Sequence, residues 1–558
     1  MIQENRNHKP QDRRPPKQKK GKHMEFDPQR YRYSSKRTMA VATRGMVCTS
    51  TPLAAQAGLR ILQEGGNAFD AAVATAACLP VVEPTSNGLG SDAFALIWSK
   101  GKLYGLNSSG VSPKAISLEK LLAKGCKTMP DMGWDPVDVP GAPAAWAEIN
   151  QRFGRLPLSQ VVEPAAWYAE HGYAVSPTVS KFWKRAVPRF TALQGEEFKP
   201  WTEYFTKNGK GPEVGEIFRC PDMAKTLRDI GATNAESYYR GALMEKIVGF
   251  SKKTGGWFTE DDFANWHPEW VTPITTNYKG YDVYEIPPNG HGITALMALN
   301  ILKGLELPEN RETAEAYHKM IEALKLAFID AKEYVSDPKT MKTPVEWLLS
   351  EEYAAQRRSL IGDEAIDPKP SDPYCGGTVY LCAADCEGNM ISYIQSNYRG
   401  FGSGIVVPGT GISLQNRGFG FSLDPKSDNV IEGGKRPYHT IVPGFLCKDG
   451  EAVGPFGVMG GFMQPQGHMQ VVVNAVDYLM NPQECLDAPR FQWTGGKHIQ
   501  LEHSVDLTIA LELKERGHDI EILSDNGAMG RGQIIWRTPY NTLIGGTEPR
   551  CDGQAAVF

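Results

Sequence analysis

The residues best suited to chemistry lie in one short run, Asp372-Pro-Tyr-Cys-Gly-Gly-Thr-Val-Tyr380. A flexible Gly376-Gly377 pair precedes Thr378, which opens an apolar strand to Ala384. The turn Asp385-Cys-Glu-Gly-Asn389 follows, and a second strand runs from Met390 to Ser396. Asp and Gly-Asn suit a short hairpin loop. Closing the hairpin there sets Ala384 opposite Met390 and Thr378 opposite Ser396, one hydroxyl beside another. A chain cut between Gly377 and Thr378 would expose a threonine whose own α-amine, with a pKa of roughly 7.7–8.0, can take the hydroxyl proton near neutral pH. The plainer alternative is a loop that merely leads into a strand.

A second feature is Gly460-Gly461, ahead of a helix expected over 465–480. Paired glycines allow close backbone approach, and their N–H groups can converge on one oxygen; the plain alternative is a turn without a partner. Other nucleophile and phosphate motifs are missing. There is no Gly-x-Ser-x-Gly elbow, and Gly400-Phe-Gly-Ser-Gly404 lacks the lysine and helix of a phosphate loop. There is no His-Glu-x-x-His, the eleven histidines stand apart along the chain, and the ten cysteines lack metal-ligand spacing, so no metal and no cofactor is expected. The cysteines read as reduced thiols of a cytoplasmic protein, with Cys382 in the core.

Several elements must position these groups. A strand is expected over 38–46. A helix then runs from Thr51-Pro52 to Gly65-Gly66, and an alanine-rich helix from Asn67 to Leu79. Ala93–Trp98 reads as a buried strand, 110–270 as mainly helical, 278–286 as a strand, and 293–304 and 312–335 as helices. Asp363–Asp372 is polar, carries proline and reads as an exposed linker to the Thr378 run. Strands dominate from there to about 462. Helices are expected over 465–480 and 482–488, and strands at 499–503, 519–523 and 533–536. Helices flanking mixed sheets predict a layered α/β sandwich.

A chain of 558 residues with 41% hydrophobic and 22% charged residues is globular in composition, and a net charge of −4 gives no nucleic-acid footprint. No apolar run reaches membrane-spanning length. Residues 1–23 are basic and proline-bearing without an apolar core, which predicts disorder and no export signal.

Taken in order, further motifs carry a resemblance: Glu64-Gly-Gly-Asn-Ala-Phe-Asp-Ala-Ala-Val73, Val82-Glu-Pro84, Val137-Asp-Val-Pro-Gly141, Arg152-Phe-Gly-Arg-Leu-Pro157, Gly255-Gly256 with Thr259-Glu-Asp-Asp262, Gly377-Thr378, Phe401-Gly-Ser-Gly-Ile405, Leu414-Gln-Asn416, Gly434-Lys-Arg-Pro437 and Gly460-Gly461. With these the chain resembles the γ-glutamyltransferase (glutathione hydrolase) family of N-terminal-nucleophile hydrolases, over nearly its whole length after residue 38. The detailed form is similar to glutathione hydrolase-like proenzymes and their acylase and oxamate amidohydrolase relatives. The resemblance implies a four-layer αββα sandwich and self-cleavage at Gly377–Thr378. The expected parts are an N-terminal extension, 1–37, a large subunit, 38–377, and a small subunit, 378–558, the two subunits forming one interwoven fold. It further implies that Thr378 is the nucleophile, that Ser396 positions its amine and that Gly460 and Gly461 form an oxyanion hole.

On the substrate side the resemblance points to Ser109, Tyr398, Asn416, Arg417, His439 and Thr440. Here the chain departs from the family. Ser109, within Asn107-Ser-Ser-Gly-Val-Ser-Pro113, stands where an arginine grips the substrate α-carboxylate. Gly420 stands where an aspartate holds the α-amino group, and His439-Thr440 replaces a Ser-Ser pair. The segment between Ser422 and Arg436 is short, which predicts a reduced lid. Arg399, Arg417 and Arg436 are candidates to restore the positive charge, Arg417 first. The leading expectation is an amidohydrolase acting on γ-glutamyl amides such as glutathione, with water or an amine as acceptor. The alternatives are other small anionic amides, among them oxamate, glutaryl-type or cephalosporin acyl groups, and a catalytically silent binding protein. No nucleic-acid or membrane partner is expected, and a higher oligomer stays open.

Overall fold

The computed structural model describes residues 27–29, 36–368 and 377–558. Residues 27–29 form a turn in which Gln29 N donates to Asp27 Oδ1 at 3.0 Å. The disorder expected over 1–23, Gly376 and Cys375 lie outside the described residues. The compact body begins at residue 35.

Two antiparallel sheets of seven strands organise that body. The first runs Gln554–Val557, Gly45–Thr49, Gly377–Asp385, Met390–Tyr398, Asp92–Ser99, Lys102–Ser108 and Glu269–Val271. The second runs Ala40–Ala42, Leu543–Thr547, Arg531–Arg537, Glu451–Met459, Gly444–Lys448, Tyr281–Glu285 and Ile274–Tyr278. Side chains alternate between faces along a strand, and the sequence obeys this twice over. Tyr380, Cys382 and Ala384 meet Phe94, Leu96 and Trp98 of the same sheet, and Phe445, Met459 and Ile535 of the other, in the core between the sheets. Val379, Leu381 and Ala383 face outward onto the helices Ala68–Val82 and Ala142–Phe153. The second sheet is covered by helices Ile293–Leu302, Ala314–Tyr334 and Met463–Val476. Helix, sheet, sheet and helix thus stack in four layers, the expected αββα fold.

Local signals set the helices around the site. Thr51 occupies the N-cap position of Pro52–Gln63 without a side-chain capping bond, and proline holds the first helical position. Asn67 and Asp70 form a reciprocal capping box for Ala68–Val82, which is buried on all sides. The hairpin keeps the expected register from Ala384↔Met390 to Val379↔Gln395 and then slips, so that Gly377 pairs with Tyr398. Thr378 therefore lies opposite a bulge in the partner strand, where Ser396 and Asn397 together face it at the point where pairing ends.

Some elements differ from expectation. The single strand at 278–286 is two, Ile274–Tyr278 and Tyr281–Glu285, folded about Lys279-Gly280, both at positive φ. Lys102–Ser108, Leu543–Thr547 and Gln554–Val557 were not foreseen; glycines interrupt the first two, and the last closes a sheet edge at the C-terminus. Of Asp363–Asp372, expected as an exposed linker, residues 363–366 are pinned by hydrogen bonds, and 369–372 lie outside the described residues. Among the described residues, no helix is long and apolar enough to cross a membrane.

Candidate active site

Thr378 and Ser396 stand on neighbouring strands with Thr378 Oγ1 3.1 Å from Ser396 Oγ, and both residues are buried. Ser396 also accepts a hydrogen bond from Tyr398 N at 2.7 Å. That bond comes from a residue at φ 72°, an uncommon conformation for an aromatic side chain. From the facing helix, Gln464 Nε2 reaches Thr378 Oγ1 at 3.5 Å while its Oε1 accepts from Val442 N at 3.0 Å. Gly460 (φ 142°) and Gly461 (φ 61°) form the turn into that helix, and their carbonyls accept from Met463 N and Gln464 N. A helix start presents N–H groups that no helix carbonyl takes. This turn opens the helix whose Gln464 reaches Thr378.

Behind the hydroxyl pair lies a buried charge cluster. Asp92 is the strand partner of Ser396. Its Oδ2 accepts from Arg417 Nε at 3.1 Å and from His439 Nε2 at 2.5 Å. Burial pushes the Asp92 carboxyl up, but Arg417 and His439 outweigh it and hold it below its usual range. His439 falls to about 4, through burial and then the repulsion of Arg417, against the pull of Asp92. It is therefore neutral at pH 7, with Nε2–H donating to Asp92 and Nδ1 accepting from Ile441 N at 3.3 Å. Arg417 also donates to Thr440 Oγ1 at 2.6 Å and lies 4.3 Å over the Tyr398 ring. Asp138 is held well above the carboxylate range by burial and by the nearby Asp92. His291 accepts from Tyr438 OH and donates to Thr440 O, and burial keeps it well below its usual value.

A cavity of about 540 Å³ opens beside these groups. Tyr398, Phe419, Phe421, Tyr438 and Phe462 line it with Leu122, Met129 and Leu423, and its charged lining residues are Lys127 and Asp424. Two of these residues tie the cavity to the site. Tyr398 pairs with Gly377, and Phe462 follows Gly461 directly. Gly420 is part of the wall, and a Cβ added there would come within 2.8 Å of Tyr438 O, so the backbone has no room for an aspartate at that position without a shift.

The substrate-side candidates separate into two groups. Tyr398 faces the cavity. Ser109 is turned inward, its Oγ donating to Asn107 Oδ1 at 2.7 Å. Asn416 is buried, taking Arg399 N and donating to Asp131 O. Arg417, His439 and Thr440 belong to the Asp92 cluster. Arg417 is thus buried in an ion pair with Asp92, its Nη2 without a hydrogen-bond partner among the described residues, and it does not line the cavity. Arg399 pairs with Asp131 at 3.0 Å, and Arg436 with Glu269 at 3.0 Å. Asp92 and Gln464 went unforeseen. A charged residue opening the buried strand Asp92–Ser99 was a usable signal for the first; nothing local marks the second.

The histidines apart in sequence are not all apart in space: His318, Glu322 and His518 place donor atoms within 4.8 Å of one another in the interior. Their types suit a transition metal, but the ammonium of Lys325 already holds Glu322 Oε1 at 2.7 Å.

The four-layer αββα sandwich is the fold of the N-terminal-nucleophile hydrolases. Comparison narrows this further. The Gamma-glutamyltranspeptidase family model matches residues 54–558, and the chain belongs to that family of enzymes. It is 38% identical to the glutathione hydrolase-like YwrD proenzyme of Bacillus subtilis, over 92% of this chain and 98% of that protein. It is 32% identical to the oxamate amidohydrolase proenzyme of Klebsiella pneumoniae, over 93% and 99%. Among solved structures, the cephalosporin acylase from Bacillus halodurans superposes with a TM-score of 0.93 at 55% identity, covering 96% of this chain and 99% of that one.

Proposed function

We propose that the chain is a self-cleaving amidohydrolase with Thr378 as nucleophile. The carrying observation is the 3.1 Å contact between Thr378 Oγ1, directly after Gly377, and Ser396 Oγ in the bulge of the partner strand. In maturation, Thr378 Oγ adds to the Gly377 carbonyl carbon, the Gly377–Thr378 C–N bond breaks, and the hydroxyl proton goes to the released nitrogen. Water hydrolyses the resulting ester, leaving a Gly377 carboxylate and a free Thr378 amine. In turnover that amine accepts the Thr378 hydroxyl proton, the oxygen attacks the substrate amide, and the leaving amine takes the proton. Water, or an amine acceptor, then releases the acyl group. Ser396 orients the amine, and the Gly460-Gly461 turn offers N–H groups to the oxyanion.

The pocket favours small amides whose acyl group lacks the α-ammonium and α-carboxylate of glutamate. Ser109 points inward, Arg417 is held by Asp92, and Gly420 leaves no space for a carboxylate. Buried charges without partners bind poorly, whereas the aromatic lining suits an apolar acyl body, with Lys127 as a cation for a distal carboxylate. The 55% identity to a cephalosporin acylase points the same way. The second reading is γ-glutamyl amides such as glutathione, favoured by the likeness to a glutathione hydrolase-like proenzyme.

A panel of glutaryl, aromatic acyl, oxalyl and γ-glutamyl amides, followed by mass spectrometry, separates the readings. The pocket predicts that kcat/KM for glutaryl or aromatic acyl amides exceeds that for the γ-glutamyl amide. A γ-glutamyl preference would replace the first reading with the second.

A further inference from the structure

Helix Met463–Val476 carries three buried glutamines in its first half, Gln464, Gln466 and Gln470. A buried amide is costly unless its oxygen and its nitrogen both find partners. Gln466 and Gln470 find theirs on the strand Phe491–Gly495. Gln466 Oε1 accepts from Trp493 N at 2.8 Å, and its Nε2 donates to Trp493 O at 3.0 Å. Gln470 does the same with Phe491, at 3.3 Å and 3.0 Å. These two amides stitch the helix to the strand.

Gln464 is arranged otherwise. Its Oε1 accepts from Val442 N at 3.0 Å, and its Nε2 lies 3.5 Å from Thr378 Oγ1. A backbone N–H can only donate, so the atom facing Val442 is the oxygen and the atom facing Thr378 is the nitrogen. Turning the amide over would set two donors against each other. Thr378 Oγ1 is therefore the acceptor in this contact, with Ser396 Oγ as a second polar neighbour at 3.1 Å. A separation of 3.5 Å is long for a hydrogen bond, as contacts to a reacting atom often are before substrate is bound. The backbone of Gln464 is held to the glycine turn by the bond from its N to Gly461 O at 3.1 Å.

We propose that Gln464 is a catalytic residue of this centre, whose N–H holds the Thr378 oxygen and steadies it as it leaves the acyl-enzyme. This role rests on Thr378 being the nucleophile. In acyl release, water adds to the acyl carbonyl carbon and gives one proton to the Thr378 amine. The bond between that carbon and Thr378 Oγ1 then breaks, its electron pair stays on Oγ1, and the ammonium returns the proton to that oxygen. Negative charge grows on Oγ1 as the bond breaks, and a donor placed there acts on this step. In acylation by an amide the hard step is departure of the amine, when Oγ1 is bonded to carbon and carries little charge. Loss of the Gln464 donor therefore slows release more than acylation.

The test compares processed wild type, Gln464→Met and Gln464→Asn on an amide and a nitrophenyl ester of one acyl group, the one preferred in the amide panel. Gln464→Met keeps the side-chain length and removes both polar atoms. Gln464→Asn keeps an amide for Val442 N, is one methylene too short to reach Thr378 as well, and decides the question should the methionine variant not fold. Acid quenching during ester turnover, with intact-mass spectrometry, gives the fraction of fragment 378–558 that carries the acyl group. The ester kcat divided by that fraction is the rate of acyl release, and kcat/KM for the amide reports acylation. The expected result is release slowed about tenfold, less than for a close oxyanion donor, with amide kcat/KM within about threefold of wild type. Release at the wild-type rate would overturn the role of Gln464 and leave the Thr378 reading intact. Equal losses in both steps would overturn it too, since Gln464 would then shape the whole site. A folded variant that stalls unprocessed is treated with hydroxylamine, which cleaves esters. Scission between Gly377 and Thr378 would support the role, because the maturation ester waits on release of the same oxygen; a chain left whole would overturn it. Wild-type protein with no cut before Thr378, or with no acyl group on that fragment, would remove both proposals.

Discussion

Thr378, Ser396 and Asp92 stand on three adjacent central strands, each fixed by ladder hydrogen bonds on both sides. Across the cavity, Leu122, Lys127, Phe419, Phe421 and Asp424 come from a helix end, a short 3₁₀ turn and loops. The seam is polar, buried and mutually hydrogen-bonded; the wall is aromatic and partly exposed. One region is built to hold atoms in place, the other to vary. The same catalytic strands can therefore serve different acyl groups by exchange of the wall.

If that division holds, seam variants should lose stability or rate, and wall variants should change preference alone. The largest effect is expected from Asp92→Asn. It strips the counter-charge from buried Arg417 and leaves His439 a neutral amide oxygen in place of a carboxylate. Removing one member of a buried ion pair costs about 3–5 kcal/mol, and chemical unfolding should record it. A loss below about 1 kcal/mol would mean that the cluster does not hold the seam.

Acid should act next on the same region. The folded His439 has a pKa of about 4 against an ordinary 6.5, and His291 and His318 are lowered likewise. As pH falls below about 6.5 the unfolded chain takes up protons that the folded chain refuses. Stability owed to neutral His439 is thus complete above about pH 7 and declines until about pH 4, by roughly 3 kcal/mol for this residue alone. Unfolding midpoints measured from pH 7.5 to 4.5 should fall steadily, and a flat profile would contradict the burial account.

Ser396→Ala should cut kcat by roughly 30-fold, a part of the 10²–10⁴ typical of general-base assistance, with little change in KM. Equal rates would remove Ser396 from the chemistry. On the wall, Phe419→Ala should shrink a preference for apolar over γ-glutamyl acyl groups by up to about tenfold and leave the unfolding midpoint in place. A midpoint that falls as far as in Asp92→Asn would erase the distinction between the two regions.

The same division explains what could be read from sequence. The hairpin followed from turn chemistry and period-two alternation, which are local, and its register held up to Val379↔Gln395. The bulge opposite Thr378 did not follow, because it depends on how Gly377 meets Tyr398. Asp92 comes from a strand of the first sheet and Gln464 from a helix that covers the second, and only the packing of the layers brings them to one end. Arg417 reads from sequence as the first candidate to restore a substrate-binding positive charge; its ion-pair partner, Asp92, lies 325 positions away. The pinned stretch at 362–366 looked like linker because its composition is polar, while its anchors reside on a distant helix and beyond the proposed cut.

The central claim is that Thr378 cuts the chain before itself and then carries the chemistry. Intact-mass spectrometry of freshly purified wild-type and Thr378→Ala protein tests it most directly. The account predicts two wild-type fragments divided between Gly377 and Thr378, the second beginning Thr-Val-Tyr, and a single inactive full-length species for Thr378→Ala. A wild-type chain that stays whole yet hydrolyses amides, or a Thr378→Ala chain cut at the same bond, would contradict it.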